Sequence, residues 1–191
     1  MDRSPEELAA PVYVAVVGPG ESATEEHRTD AARVGASLAE AGAVVLTGGL
    51  GGVMRAAAAG CRRAGGTSIG LLPDRDRDRA NPESTFTIPT GMGELRNGLL
   101  VRAADAVVCV ALSWGTLSEV ALAIRTGKPV VFLAAWPLPM DGPIAADSPE
   151  DAASRALALA AARVAHDRSD PGPDPTRDRS DPVPEPTRDP I

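Results

Sequence analysis

Arg96-Asn97, Asp105-Ala-Val-Val-Cys-Val110 and Gly115-Thr116-Leu117-Ser118-Glu119 follow one another in a single short stretch of the chain. Read in order, they are a helix end, a buried strand, a tight turn and a second helix that opens with a carboxylate. A turn at the carboxyl end of a parallel strand directs backbone N–H groups at whatever binds there. This reading sets Glu119 in or next to the first turn of the later helix and draws Arg96 from the earlier one. A cation for phosphate and an acid for chemistry then meet over one pocket, which points to a nucleotide-like ligand.

The same alternation extends outward in both directions. Apolar runs at 12–17, 43–46, 67–72, 86–88, 106–110 and 129–133 read as strands. Most are continuous rather than alternating, as expected of parallel strands covered on both faces. Alanine-rich stretches near 24–41, 53–64, 93–104 and 116–126 read as helices, and 151–165 as a last one. Ser22-Ala-Thr-Glu25 offers a capping box for the first helix. Gly42, Gly65 and Gly127 fall where C-terminal caps belong. The pattern predicts a three-layer, doubly wound α/β fold of Rossmann type with a mostly parallel sheet.

Composition limits what that fold does. The chain has 191 residues, enough for one domain with a real core, and aromatics are only 3 %, so Val, Leu, Ala and Ile must fill it. A net charge of −7 argues against a surface that binds nucleic acid through its phosphates. Cys61 and Cys109 are spaced neither for zinc nor as a redox pair, and read as reduced, buried cysteines of a cytoplasmic protein. No metal site is expected, because His27 and His166 lie far apart. The first residues lack a basic region followed by an apolar run, and no apolar run approaches the length of a membrane span. Asp74-Arg-Asp-Arg-Asp-Arg79 reads either as a solvated loop or as a lid over a ligand. Residues 1–11 read as a flexible lead-in, 12–165 as the single domain and 166–191 as a disordered acidic tail. In that tail an eleven-residue unit starting at Arg168 recurs at Arg179 with nine identical positions. So much Pro and charge cannot build a core; a partner-binding role for the tail is the alternative.

Three glycine-rich turns carry the chemistry. Gly18-Pro19-Gly20-Glu21-Ser22 follows a strand and loosely fits a dinucleotide fingerprint. No acid stands at the end of the second strand, however, and Pro19 removes a donor, so NAD is disfavoured. A phosphate contact from Gly20, Glu21 and Ser22 and a purely structural turn both remain open. Gly48-Gly49-Leu50-Gly51-Gly52-Val53-Met54 suits an anion-binding nest at a helix N-terminus, although it is not a Walker loop. Ser113-Trp114-Gly115-Thr116 is the third. Taken singly, Glu119 reads equally as a helix-dipole acid and Arg96 as a salt-bridge residue; their conjunction with the glycine loops favours function.

These motifs together, with Gly91-Met92-Gly93-Glu94-Leu95-Arg96-Asn97 and Gly127-Lys-Pro-Val130, resemble the LOG-like Rossmann superfamily across residues 12–135. That group includes cytokinin riboside 5′-monophosphate phosphoribohydrolases and molybdenum cofactor carrier proteins. The Arg-Asn pair and Gly-Thr-Leu-Ser-Glu look closer to the carriers. The resemblance implies a homodimer. By analogy with the hydrolases it implies Arg96 and Glu119 as catalytic pair, with Gly48–Met54 and Gly115–Thr116 holding a 5′-phosphate and sugar. The implied reaction releases free base and ribose 5-phosphate, with Glu119 facing an oxocarbenium-like transition state and Arg96 clamping phosphate.

The chain departs from the hydrolase pattern at two points. Ala111-Leu112-Ser113 stands where those enzymes carry Pro-Gly-Gly, and Asn97 where they carry lysine. A leucine disfavours backbone geometry that glycine permits, while Trp114 offers a surface for stacking on a purine or pterin. The leading expectation is therefore a binding protein for a phosphorylated nucleotide-like or pterin-like ligand, with a bound nucleotide or molybdopterin-type group as its cofactor. A nucleoside 5′-monophosphate phosphoribohydrolase is the second reading. A non-catalytic regulatory interaction module, supported by the tail alone, is the third.

Overall fold

The computed structural model describes residues 11–133 and 142–169. In chain order the elements are β1 (Tyr13–Val17), α1 (Glu25–Glu40), β2 (Val44–Thr47), α2 (Val53–Arg63), β3 (Thr67–Leu72) and β4 (Phe86–Pro89). There follow α3 (Arg96–Ala103), β5 (Ala106–Cys109), α4 (Trp114–Arg125), β6 (Val130–Phe132), β7 (Ile144–Ala145) and α5 (Pro149–Ser169). The strands form one sheet in the order β4-β3-β2-β1-β5-β6-β7, and every neighbouring pair is parallel. From β1 the chain winds out to β4, returns to β5 on the other side of β1, and winds out again. The doubly wound Rossmann-like fold is thus as expected, with its topological switch between β1 and β5, where open α/β sheets place their ligands.

Both faces of the sheet are covered, which explains the unbroken apolar runs. Val14 and Val16 of β1 enter a core with Val34 and Leu38 of α1, Ala57 of α2, and Ala152 and Ala156 of α5. Ala15 and Val17 enter a second core with Leu100 and Val101 of α3 and Val120 and Ala123 of α4. Aromatic side chains are nearly absent from both cores, and alanine allows close approach instead. At the α1–α2 crossing, a Cβ on Gly35 would strike the Ala57 carbonyl and one on Gly60 the Ala32 carbonyl.

Two motif residues turn out to be fasteners of the sheet. Asp105 exchanges bonds with Tyr13: its Oδ2 accepts from the Tyr13 amide at 2.8 Å and its amide donates to the Tyr13 carbonyl at 2.7 Å. This pins β5 beside β1. Lys128 donates from Nζ to the carbonyls of Arg102 and Ala104, satisfying the carboxyl end of α3.

Several boundaries differ from the sequence expectation. The N-cap of α1 is Thr24, not Ser22, and the reciprocal partner is His27, whose Nδ1 accepts from the Thr24 amide at 3.3 Å. Gly42, Gly65 and Gly127 lie just past helix ends with φ of 79°, 75° and 69°, as the caps require. Arg96 opens α3, behind a single 3-10 turn at Gly93–Leu95, and does not mark a helix end. β7, an edge strand of two exposed residues, has no apolar run to announce it. α5 runs from Pro149 to Ser169, beyond the expected 151–165. Most of the lead-in, and the tail from residue 170, lie outside the described residues, and so does the side chain of His166. Among the described residues no helix is long and apolar enough to cross a membrane, and no group of three or more metal-ligating side chains is gathered.

Candidate functional site

Four loops meet at the carboxyl edge of the sheet, after β1, β2, β3 and β5, with the N-terminus of α3 brought beneath them. At the switch between β1 and β5 lies a cleft of about 180 Å³, lined by Gly18, Gly20, Met54, Arg96 and Asn97 on one side. Ser113, Gly115, Thr116 and Glu119 of α4 and its cap line the other. A larger cleft of about 420 Å³ adjoins it and shares Arg96 and Asn97.

Arg96 and Glu119, predicted to meet, do so: Nη1 stands 3.7 Å from Oε1, with both side chains 8 % exposed. The distance is long for a charge-assisted hydrogen bond, and Arg96 Nε is buried with no hydrogen-bond partner among the described residues. Burial pushes the Glu119 carboxyl up to about 7, only partly offset by Arg96. Burial also works against the guanidinium's charge, while Glu119 and then Asp74 support it. The pair is thus under-satisfied in a polar cleft, an arrangement ready for a ligand to complete.

The glycine loops position this pair. A Cβ on Gly48 would lie 2.5 Å from Arg96 Nη1 and 2.6 Å from Met54 Sδ, so the absence of a side chain there makes room for the guanidinium. Gly49 and Gly52 take positive φ, 75° and 63°. Gly52 caps α2 and abuts the Pro19 and Gly20 carbonyls, which locks the first two loops together. The Val53 amide donates to the Pro19 carbonyl at 3.0 Å, so this helix N-terminus spends a donor on the protein. Val53 itself is core, packed on Gly18. Gly51 faces open space, and Glu21 and Ser22 point outward.

α4 begins earlier than predicted. Ser113 is its N-cap, with Oγ accepting from the Thr116 amide at 3.2 Å and lying 2.9 Å from Thr116 Oγ1. Gly115 and Thr116 therefore sit inside the first turn, and Glu119 in the second, so the helix opens without a carboxylate. Leu112, in the place of a glycine, packs on the α3–α4 core, and among the described residues no non-glycine residue adopts positive φ. The strand–helix turn here is built by a serine cap rather than by a glycine nest. Trp114 is 89 % exposed and stands outside the lining of both clefts. Asn97 donates to Ser118 Oγ at 3.4 Å, tying α3 to α4.

One residue that sequence reasoning missed organises the glycine loop. Asn81, almost fully buried, donates from its amide nitrogen to the Leu50 carbonyl at 3.0 Å, and its backbone N–H donates to the Gly49 carbonyl at 2.9 Å. Its Oδ1 accepts from Glu83, Ser84 and the Ser84 hydroxyl. No motif flags a lone asparagine in a loop. Of the 74–79 charge run, most is solvated, but Asp74 and Arg79 line the larger cleft. Both cysteines are free and buried, and burial pushes the Cys61 thiol up to about 11.

Fold and site together define a Rossmann-type α/β protein with its loops gathered at the topological switch. Residues 11–164 match the SLOG cluster4 family, and the chain belongs to it. It is 40% identical over 141 residues to an uncharacterised protein of Archaeoglobus fulgidus, covering 74% of this chain and 91% of that one. Among solved structures it is similar to the molybdenum cofactor binding protein of Rippkaea orientalis, with TM-score 0.73, 33% identity, and 79% of this chain and 98% of that chain covered. It is likewise similar to the molybdenum cofactor carrier protein of Chlamydomonas reinhardtii, with TM-score 0.72, 32% identity, and coverage of 80% and 99%.

Proposed function

We propose that this protein binds a phosphorylated nucleotide-like or pterin-like small molecule, with a molybdopterin-type ligand as the leading candidate. The observation that carries this reading is the buried, under-satisfied Arg96 facing the N-terminus of α4 across a polar cleft. A phosphate there takes the guanidinium's donors and the first-turn amides of Trp114 and Gly115, ahead of the Thr116 amide that the Ser113 cap uses. The likeness to the molybdenum cofactor binding protein of Rippkaea orientalis and the carrier protein of Chlamydomonas reinhardtii supports the ligand class. A location in the cytoplasm and a homodimer belong to the same reading. The dimer is supported by exposed apolar side chains on one side of the sheet: Phe86 and Ile88 on β4, and Leu95 and Leu99 at α3.

A second reading, a phosphoribohydrolase, draws on the Arg96–Glu119 pair alone. An acid poised near neutrality beside the cleft can position water or meet a developing cation. A panel of nucleoside monophosphates and pterin phosphates separates the two. Thermal stabilisation without release of free base supports carriage. Base released by the native protein and not by Glu119→Gln supports hydrolysis. Neither stabilisation nor release contradicts both.

A further inference from the structure

The Arg96 side chain separates two clefts of opposite character. The inner one meets a helix N-terminus. The outer one, about 420 Å³ and large enough for a ring system, presents carboxylates. Asp74 stands at the carboxyl end of β3 and Glu94 at the rim, with Asn97 between the clefts. Asp74 is firmly placed: its carbonyl accepts from the Gly91 amide at 2.8 Å, and that of Pro73 from Gly93 at 3.0 Å. Its carboxylate is loosely engaged. Arg79, 66% exposed, reaches its two oxygens at 3.3 and 3.4 Å, and exposed pairs of this kind exchange readily. On the other side Asp74 supports the charge of the buried Arg96, whose Nε keeps no hydrogen-bond partner among the described residues.

A carboxylate repels a phosphate but suits two parallel N–H donors. Guanine and pterin rings present such an edge, a ring N–H beside an exocyclic amino group. Adenine does not: it sets one amino group beside a nitrogen lone pair, which would face the second oxygen. We propose that the outer cleft is the ring subsite, in which Asp74 reads the donor–donor edge of a 2-amino-4-oxo ring and Arg79 swings off Asp74 as the ring enters. This rests on the reading of the inner cleft as the phosphate subsite. It assigns specificity to a residue of the charge run that the sequence reads as a solvated loop or a lid.

The test titrates GMP, IMP, AMP, neopterin monophosphate and inorganic phosphate into the native protein, Asp74→Asn and Arg79→Ala. GMP is expected to bind about tenfold more tightly than IMP, which lacks the amino group, and at least as far above AMP. In Asp74→Asn the GMP-to-AMP ratio falls to within about threefold while inorganic phosphate binds as before; Arg79→Ala tightens GMP. Whether GMP or neopterin monophosphate binds better identifies the ring source. Equal binding of GMP, IMP and AMP alongside retained phosphate binding overturns the ring assignment alone, as does an unchanged ratio in Asp74→Asn. Loss of binding by every probe, inorganic phosphate included, overturns the phosphate subsite as well.

Discussion

Glu119 sets the pH behaviour of the site. Its carboxyl titrates near 7 when folded, against 4.5 ordinarily. The native state therefore holds a proton that the unfolded chain has released between those values, and stability falls as pH rises through that window. The native protein should lose stability relative to Glu119→Gln by about 3 kcal/mol between pH 4.5 and pH 7, and by little more above it. Urea titrations of both proteins at a series of pH values measure this difference; one that is flat with pH contradicts the assigned burial. Gly48 makes the companion case. A methyl group there lands on the Arg96 guanidinium and on Met54, so Gly48→Ala should displace Arg96 and weaken phosphate binding by about tenfold. The fold should remain intact, because the atoms that must move are side-chain ends. Calorimetry beside far-UV circular dichroism reads both halves of that expectation.

At the scale of elements, close helix packing is the most exposed weakness. Gly35 and Gly60 each face a backbone carbonyl of the opposite helix, and a carbonyl cannot rotate away as a side chain can. Gly35→Ala and Gly60→Ala should each cost about 1–3 kcal/mol, seen as a lowered urea midpoint, with ligand binding preserved. Six of the seven strands were legible as apolar runs, five of them because burial on both faces leaves an unbroken signature and β4 through Phe86 and Ile88, which stay exposed. β7 was not, since two exposed edge residues bury too little to leave one. The start of α4 differs from the sequence reading because a cap overrides a glycine. Gly115 reads as a turn residue, yet Ser113 Oγ takes the Thr116 amide and draws Gly115 into the helix. His27 replaced Glu25 as the reciprocal cap because its ring nitrogen reaches the Thr24 amide. The Arg96–Glu119 meeting was legible from their places beside one strand. Asn81 was not, because its importance comes from segments that only folding brings together.

For the whole molecule, the two faces of the sheet are unequally dressed. Three helices cover one, while α3 and α4 cover the other and leave Phe86, Ile88, Leu95 and Leu99 in solvent. The register sets Phe86 beside Ile69 and Ile88 beside Leu71, whose side chains pack on the α3–α4 core, so the exposed set lies on one side. Apolar surface grouped in this way marks an interface. Leu95→Asp combined with Phe86→Asp should convert the proposed dimer to a monomer in light scattering without loss of secondary structure; an unchanged mass would remove this face from the proposed assembly.

The central claim is that Arg96 and the first turn of α4 hold a phosphate. Its most direct test is the calorimetric affinity of whichever monophosphate stabilises the protein most, set against the same compound without its phosphate. The account predicts that removing the phosphate weakens binding by about a hundredfold, the worth of a few charge-assisted hydrogen bonds in a buried cleft. Equal affinity for the two compounds would contradict it.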